Sequence, residues 1–426
     1  MVPMWDECQG GGDIVDVGFV GFILVVPCAP RPHRFDSGHP PTTLRASMGK
    51  PMVSPSHAAT PSGKTRARAL GIAFVGEPGH DNAITDVAGV EVGYRTLIRG
   101  AGALVVGQGP VRTGVTAVHP RGRDSAGVPV FAGVHSLNGN GEMTGFVWIE
   151  ECGRTELPIV LTNTHSVGLA RDAVVKWMVS RHPQQLASWA LPVAAETCDA
   201  TLNDMNGFHV TDEDVFGALD DARAGAIDEG SVGGGTGMVC YEFKGGSGTS
   251  SRRVSIGGCD GHVAALVQAN FGKREQLTIA GVPVGRWLQQ QSTTGPEQGS
   301  VIVIVATDLP LLPHQLKRLA QRAGLGIGRS GAIAGHGSGD IFLAFSTANR
   351  AFFAAGLDPR ELVAVPDEAL SPVFAAVIQA VDEAVINALV ANTEMRGRDD
   401  RVVPALPHDV VERWCRTWAP GPPQAP

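Results

Sequence analysis

Apolar residues fall into two patterns along this chain. Short unbroken runs occur at Ala103–Gly107, Val128–Ala132, Pro158–Thr162, Val263–Phe271, Ser300–Ala306 and Ile341–Ser346. Runs of this length, bounded by Gly, Pro and polar residues, predict buried strands. Helical spacing appears at 166–181, where Val167, Ala170, Val174, Trp177 and Met178 share one stripe. It recurs at 313–323, with Pro313 suited to a first turn, and at 372–392. There Ser371 is the expected N-cap, Pro372 takes the first helical position, and Phe374, Val377, Ile378, Val381, Val385 and Leu389 follow. Strands and helices do not alternate cleanly, so a dinucleotide-binding order is not supported. A layered α/β sandwich fits better.

Residues 1–65 break this pattern. Pro27 to Lys64 is rich in Pro, Ser, His and Arg without periodicity, which reads as flexible. The apolar run Val17–Pro27 is too short for a comfortable bilayer span. Asp6, Glu7, Asp13 and Asp16 precede it where a secretory signal needs positive charge. The expectation is a disordered or wrongly assigned extension over 1–65, one domain over 66–413 and a frayed Pro-rich tail over 414–426. No other segment reads as long and apolar enough to cross a membrane.

The chain has 426 residues, with Lys+Arg 34 against Asp+Glu 42, a net charge of −8. An acidic balance argues against nucleic acid as a partner, because phosphate binding needs concentrated Lys and Arg. Hydrophobic content of 43% and charged content of 18% exclude a disordered polar chain. The 55 glycines beside 2 tyrosines point to tight turns and a site lined by main chain. Seven scattered cysteines without a CxxC predict idle thiols in a reducing compartment, hence the cytoplasm. The 13 histidines show no HExxH or paired spacing, so neither metal nor cofactor is expected.

The densest candidate chemistry lies in Gly233–Arg252, which ends Gly-Thr-Ser-Ser-Arg. It lacks the Gly-Lys-Ser/Thr ending of a phosphate loop. Glycine-rich loops beside a hairpin are one reading. Another is chemical: a hydroxyl residue in a bent turn attacks the carbonyl before it and breaks the chain. It becomes a new N-terminus, and its α-amine, with a reference pKa of about 7.7–8.0, activates the hydroxyl.

Several segments in order carry a resemblance. They are Asn82–Gly93, Ser136–Gly145, Leu161–Gly168, Glu196–Asp204, Gly233–Arg252, Ala306–Gln315 and Ser338–Thr347. On these the chain resembles the L-aminopeptidase D-Ala-esterase/amidases and β-peptidyl aminopeptidases, which are self-processing N-terminal serine hydrolases. The resemblance implies an αββα four-layer sandwich similar to the Ntn-hydrolase fold with its own connectivity. It implies a precursor cut between Thr249 and Ser250 into an α chain to 249 and a β chain from 250. Ser250 is then the nucleophile, with Ser251 or Thr249 the alternatives in a shifted reading. Glu142 matches the amine-binding position, and Phe146 falls where relatives carry an aromatic or phenolic pocket residue. Phenylalanine lacks the hydroxyl that could reach an oxyanion.

Asn203 is the candidate oxyanion donor and Asn206 the alternative, each equally readable as a turn residue. Ser300 and Asp308 are candidates to orient the nucleophile, and Asp308 reads equally as a helix cap. The expected activity is release of N-terminal residues from short peptides, amides and esters through an acyl-serine. A tetramer of cleaved protomers and no membrane partner go with it. An amidase acting on another acyl group, of nylon-oligomer or pantetheine type, and a non-catalytic scaffold remain as alternatives.

Overall fold

The computed structural model describes residues 53–186, 189–288, 299–354 and 358–418. The expectations for 1–52 and 419–426 lie outside these. In chain order a short helix α1 (Pro55–Ala58) leads to strands β1 (Glu91–Arg99), β2 (Val111–His119) and β3 (Val130–Gly139). Helix α2 (Phe146–Cys152), β4 (Arg154–Thr155), β5 (Ile159–Asn163), α3 (Val167–Arg181), β6 (Val193–Thr197) and α4 (Asp212–Asp220) follow. Next come β7 (Val239–Cys240), β8 (Phe243–Lys244), β9 (Gly246–Ile256), β10 (Cys259–Asn270), α5 (Val284–Trp287) and β11 (Ser300–Thr307). The chain ends through α6 (Pro313–Arg329), β12 (Gly339–Ser346), α7 (Ser371–Val390) and α8 (His408–Trp418).

Two sheets carry the body, one ordered β1-β2-β5-β6 and one ordered β4-β3-β12-β11-β10-β9. Because strand side chains alternate, each sheet has an inner and an outer face. Val118, Leu161 and Ala195 of the first sheet meet Leu266, Ile304 and Leu343 of the second in one core. The outer face of the second sheet packs Val267, Val303 and Phe342 on α6 and α7. That of the first packs Val115 and Val160 on α3 and α4. The result is the αββα sandwich, and β11 lies inside its larger sheet, antiparallel to β10 and parallel to β12.

Five of the six expected strands form, though Val128–Ala132 only begins the longer β3. Ala103–Gly107 does not: it makes a turn closed by a bridge from Val105 to Gly109, because Gly102, Gly107 and Gly109 all take positive φ. Strands β1, β2 and β6 were not foreseen. The glycine-rich segment is no open loop either. Its second half is β9, and its glycines serve close packing: a Cβ at Gly248 would lie 2.0 Å from the Ala384 carbonyl oxygen of α7. Helix α7 is long and apolar enough by composition to cross a membrane, which the sequence reading missed, and most of it is buried in the core. Its N-cap is Leu370, one residue before the expected Ser371.

Both domain boundaries need correction. Ordered structure begins by residue 53: Ser56 Oγ donates to the His80 carbonyl, and Lys64 Nζ donates to the Glu229 carbonyl. At the other end α8 runs to Trp418, with the Trp414 ring stacked on Trp287 at 4.2 Å and Cys415 buried. Polar composition misled the reading at 53–65, where backbone and side-chain hydrogen bonds replace apolar burial.

Gly248→Ala tests the β9–α7 contact. The added methyl has no room without separating helix from strand, so a loss of about 1–3 kcal/mol is expected in urea denaturation, with a lower midpoint.

Candidate active site

The open end of the sandwich gathers the polar residues. Ser300 is the first residue of β11 and pairs with Asn270, the last of β10, on one side and with Gly339, the first of β12, on the other. By alternation it shares a face with Ile302 and Ile304 of the inter-sheet core. Ser300 is 4% exposed. Its Oγ donates to the Gly299 carbonyl oxygen at 2.8 Å. The Gly339 N–H donates to that same carbonyl at 3.3 Å. A Cβ at Gly299 would lie 2.4 Å from the Asn270 carbonyl oxygen, so only glycine fits before this serine.

The neighbours of Ser300 are tied down. Asn270 Nδ2 donates to the Cys198 carbonyl just beyond β6, at 3.0 Å, and Asn270 Oδ1 accepts from the Val239 N–H. This bond joins the two sheets at their open end. Ser338 and Asp340 flank Gly339. Ser338 Oγ donates to Asp340 Oδ1 at 2.6 Å, and Asn138 Nδ2 reaches Asp340 Oδ2 at 3.2 Å.

Glu142 stands in the loop that leaves β3. The loop bridges the sheets, with Met143 paired to Ala195 of β6 and the Thr144 N–H donating to the Ala194 carbonyl. Gly141 packs on Gly339, the residue opposite Ser300: its Cβ would lie 3.3 Å from the Gly339 Cα. So the exposed Glu142 carboxylate is held at the mouth where Ser300 sits. Buried Glu196 fixes the loop. Its Oε1 accepts the Glu142 N–H at 3.0 Å and its Oε2 accepts the Thr164 hydroxyl. Burial pushes the Glu196 carboxyl up, and the hydrogen bonds from Thr164 and Glu142 only partly offset this. Phe146 begins α2 half-buried against the inter-sheet core.

The other candidates are placed elsewhere. Ser250 pairs with Ala265, which pairs with Val305. Its level is therefore five residues along β11 from Ser300, roughly 17 Å. It is fully buried beneath α7 and donates to the Ala380 carbonyl at 2.6 Å. Thr249 is locked as well: its N–H donates to Glu229, and its carbonyl accepts from Arg66 Nη2 and Asn387 Nδ2. The alternative Ser251 donates to Asp86. The structure thus contradicts a nucleophile at Ser250, because a residue mid-strand under a helix meets neither Glu142 nor solvent.

Asp308 follows the far end of β11, about 26 Å from Ser300, and accepts the His262 N–H at 2.6 Å. It cannot orient a group at the strand's head. Asn203 is buried with both ends of its amide engaged, Oδ1 by the Arg112 N–H and Nδ2 by Asp199, so it is a turn residue. Asn206 is exposed in the 205–207 turn.

Asn270, Ser338, Asp340 and Glu196 were not foreseen as site residues. A signal existed for Ser338 and Asp340: Ser338-Gly-Asp340 opens the apolar strand that pairs with the one opened by Gly299-Ser300. For Glu196 there was none beyond its place in a recognised segment.

A model of peptidase family S58 matches residues 82–403. The chain is 50% identical over 359 residues to the β-peptidyl aminopeptidase BapA of Sphingosinicella microcystinivorans, covering 80% of this chain and 90% of that protein. Among solved structures it is similar to the PH0078 protein of Pyrococcus horikoshii OT3, with TM-score 0.79 and 44% identity over 83% of this chain and 99% of that one. It is also similar to the L-aminopeptidase D-Ala-esterase/amidase of Ochrobactrum anthropi, described as a prototype of the serine aminopeptidases and a variant of the Ntn hydrolase fold. There the TM-score is 0.77 and the identity 49%, over 83% and 98% of the two chains.

The buried carboxyl of Asp199, next to Cys198, is expected to make the stability of this end of the molecule depend on pH. Burial pushes it to about 7, against the opposing hydrogen bonds of Thr113, Asn203 and Asn163. A raised folded pKa means a stabilising contribution that is complete below the ordinary value of 3.8 and lost as pH rises through about 7. Unfolding free energy is expected to fall over that window with a slope of at most about 1.4 kcal/mol per pH unit. Asp199→Asn is expected to flatten it, as read from denaturation curves at several pH values.

Proposed function

The chain belongs to peptidase family S58 and is an aminopeptidase of the N-terminal nucleophile kind, and from that premise we propose that Ser300 is its nucleophile, freed when the chain cuts itself between Gly299 and Ser300. The observation that carries this is the Ser300 hydroxyl 2.8 Å from the carbonyl oxygen of its own preceding peptide. The Gly339 N–H lies ready on that oxygen, where negative charge develops on attack.

In the precursor, Ser300 Oγ adds to the Gly299 carbonyl carbon. The tetrahedral adduct expels the Ser300 nitrogen, leaving an ester on Oγ and a free amine. Water then hydrolyses the ester, giving chains 1–299 and 300–426. In the mature enzyme the new α-amine accepts the hydroxyl proton as Oγ attacks a substrate carbonyl. The same amine returns the proton to the departing nitrogen, and water releases the acyl group.

Asn270, bonded to Cys198 through one amide hydrogen, has a second to offer the substrate oxyanion. Asp340 holds Ser338 beside the new terminus and acts as a positioning residue. The Glu142 carboxylate receives the substrate's protonated amine through a charge-assisted hydrogen bond. Its place one residue after Gly141, which packs on Gly339, supports that role.

N-terminal sequencing of the smaller fragment is expected to read Ser-Val-Ile-Val. Ser300→Ala should run as one band on denaturing gels and lack activity, while Ser250→Ala should split as the parent does. A smaller fragment beginning Ser-Ser-Arg would overturn the assignment. Glu142→Gln is expected to lower kcat/KM for free-amine substrates roughly 10- to 100-fold while leaving self-cleavage intact. An unchanged value would remove Glu142 from amine recognition.

A further inference from the structure

One exposed aromatic stacks on the histidine just beyond β5 from an unfavourable backbone conformation. Phe208 is 65% exposed, yet its backbone is left-handed at φ 52°, ψ 50°, which costs a bulky residue of order 1–3 kcal/mol. The turn before it is tightly built. The Asp204 N–H donates to the Pro110 carbonyl, and Asp204 Oδ2 meets His209 Nε2 at 2.8 Å and accepts the Gly107 N–H. A Cβ at Gly207 would strike Asp204 Oδ2 and His209 Nε2 at 2.3 Å. The ring so presented stacks on His165 at 5.7 Å and 20°. His165 follows Thr164, whose hydroxyl bonds the same Glu196 that anchors Glu142.

The strand order says which part of a substrate reaches this stack. β6 has β5 on one edge and the Met143 segment on the other. Glu142 therefore lies on one side of β6, and His165, just beyond β5, on the other. The Cys198 carbonyl that Asn270 holds comes directly after β6, which sets Asn270 and its strand neighbour Ser300 at the end of that strand. With the substrate amine on Glu142 and its carbonyl at Ser300, the chain beyond the scissile bond runs away from Glu142.

Resting on the reading of the site given above, we propose that the stacked pair His165–Phe208 is the platform for the residue after the scissile bond and gives the enzyme a preference for aromatic leaving groups. An aromatic side chain or anilide laid on Phe208 gains one more ring contact, and a bare amide gains none.

The test holds the N-terminal residue constant and varies the leaving group: ammonia from the simple amide, glycine, phenylalanine and 2-naphthylamine. The parent enzyme is expected to show a kcat/KM about 3- to 10-fold higher for phenylalanine than for glycine, the size of one aromatic contact. Phe208→Ala should bring that ratio near one, leave the simple amide unchanged and still self-cleave. Phe208→Trp should keep the ratio. A parent ratio near one, or a Phe208→Ala enzyme that keeps the parent ratio, overturns the proposal. So does one that loses activity equally on every leaving group, or that alters only the choice of N-terminal residue or the elution volume. An active Ser300→Ala enzyme would instead overturn the underlying site assignment, so the two failures read differently.

Discussion

The Gly299 carbonyl is the point on which the site depends. It lies at the head of β11, with the Ser300 hydroxyl on one side of it and the Gly339 N–H on another. The first contact is local to the Gly299-Ser300 pair, and the second follows from register. Ser300 meets Asn270 across one ladder and Gly339 across the other, so any slip of β11 would move the hydroxyl away from both. Register in a buried strand is strongly specified, because a one-residue slip turns every side chain to the wrong face. Apolar Ile302 and Ile304 inside the inter-sheet core, with Val301 and Val303 outside it, therefore position a polar group at the strand's end. Absent side chains complete the arrangement: glycine at 299 and 339 lets main chains approach where a Cβ would collide, and at 141 where a Cβ would be tight.

A second constraint keeps the larger sheet closed at its edge. β9 is an edge strand, and its outward polar groups are met by side chains at 249 and 251 and by the Gly230 and Glu77 main chain at 247 and 253. Thr249 is held by Glu229, Arg66 and Asn387, and the Ser251 N–H by Asn82. Behind them Glu383 of α7 accepts from Arg68, Arg252 and Asn82. Burial alone would raise the Glu383 carboxyl, but Arg252 and Arg68 outweigh it and hold the carboxyl below its ordinary value. At Glu229 burial wins over Arg66 and the carboxyl is raised. A network of this kind is costly to break at one member, because a buried charge is then left alone. It gives the hydroxyls and the arginine of the Ser-Ser-Arg segment structural partners. Edges left open invite pairing with other chains, and the segment from 53 to 86 covers this one.

Much of the architecture was legible in the pattern of residues. Helices α3, α6 and α7 carry periodic apolar stripes, and β5, β10, β11 and β12 carry unbroken apolar runs. Strands β1 and β2 were not, because Glu91–Arg99 and Val111–His119 interleave Gly, Thr, Arg and Tyr with the apolar residues. Of the site, Glu142 and Ser300 could be named, but their partnership could not. They lie in different segments, and the β3–β12 pairing with the Gly141–Gly339 approach brings them to one mouth. Local glycine density drew the nucleophile to Ser250, where the glycines in fact make room for α7.

What the sequence determined by itself was the layered α/β class, the family, and the presence of a serine and a carboxylate suited to cutting peptides next to an amine. Which serine is better placed to do this is visible only in the tertiary structure. A hydroxyl beside glycine looks alike at 250 and at 300, since both have glycine close before them. Strand order buries one midway along an edge strand under a helix and sets the other at the head of an interior strand, at the open end between two sheets. Nucleophilic chemistry needs space for a substrate and donors aimed at its oxygen, and both are properties of where strands end, which no run of residues encodes locally.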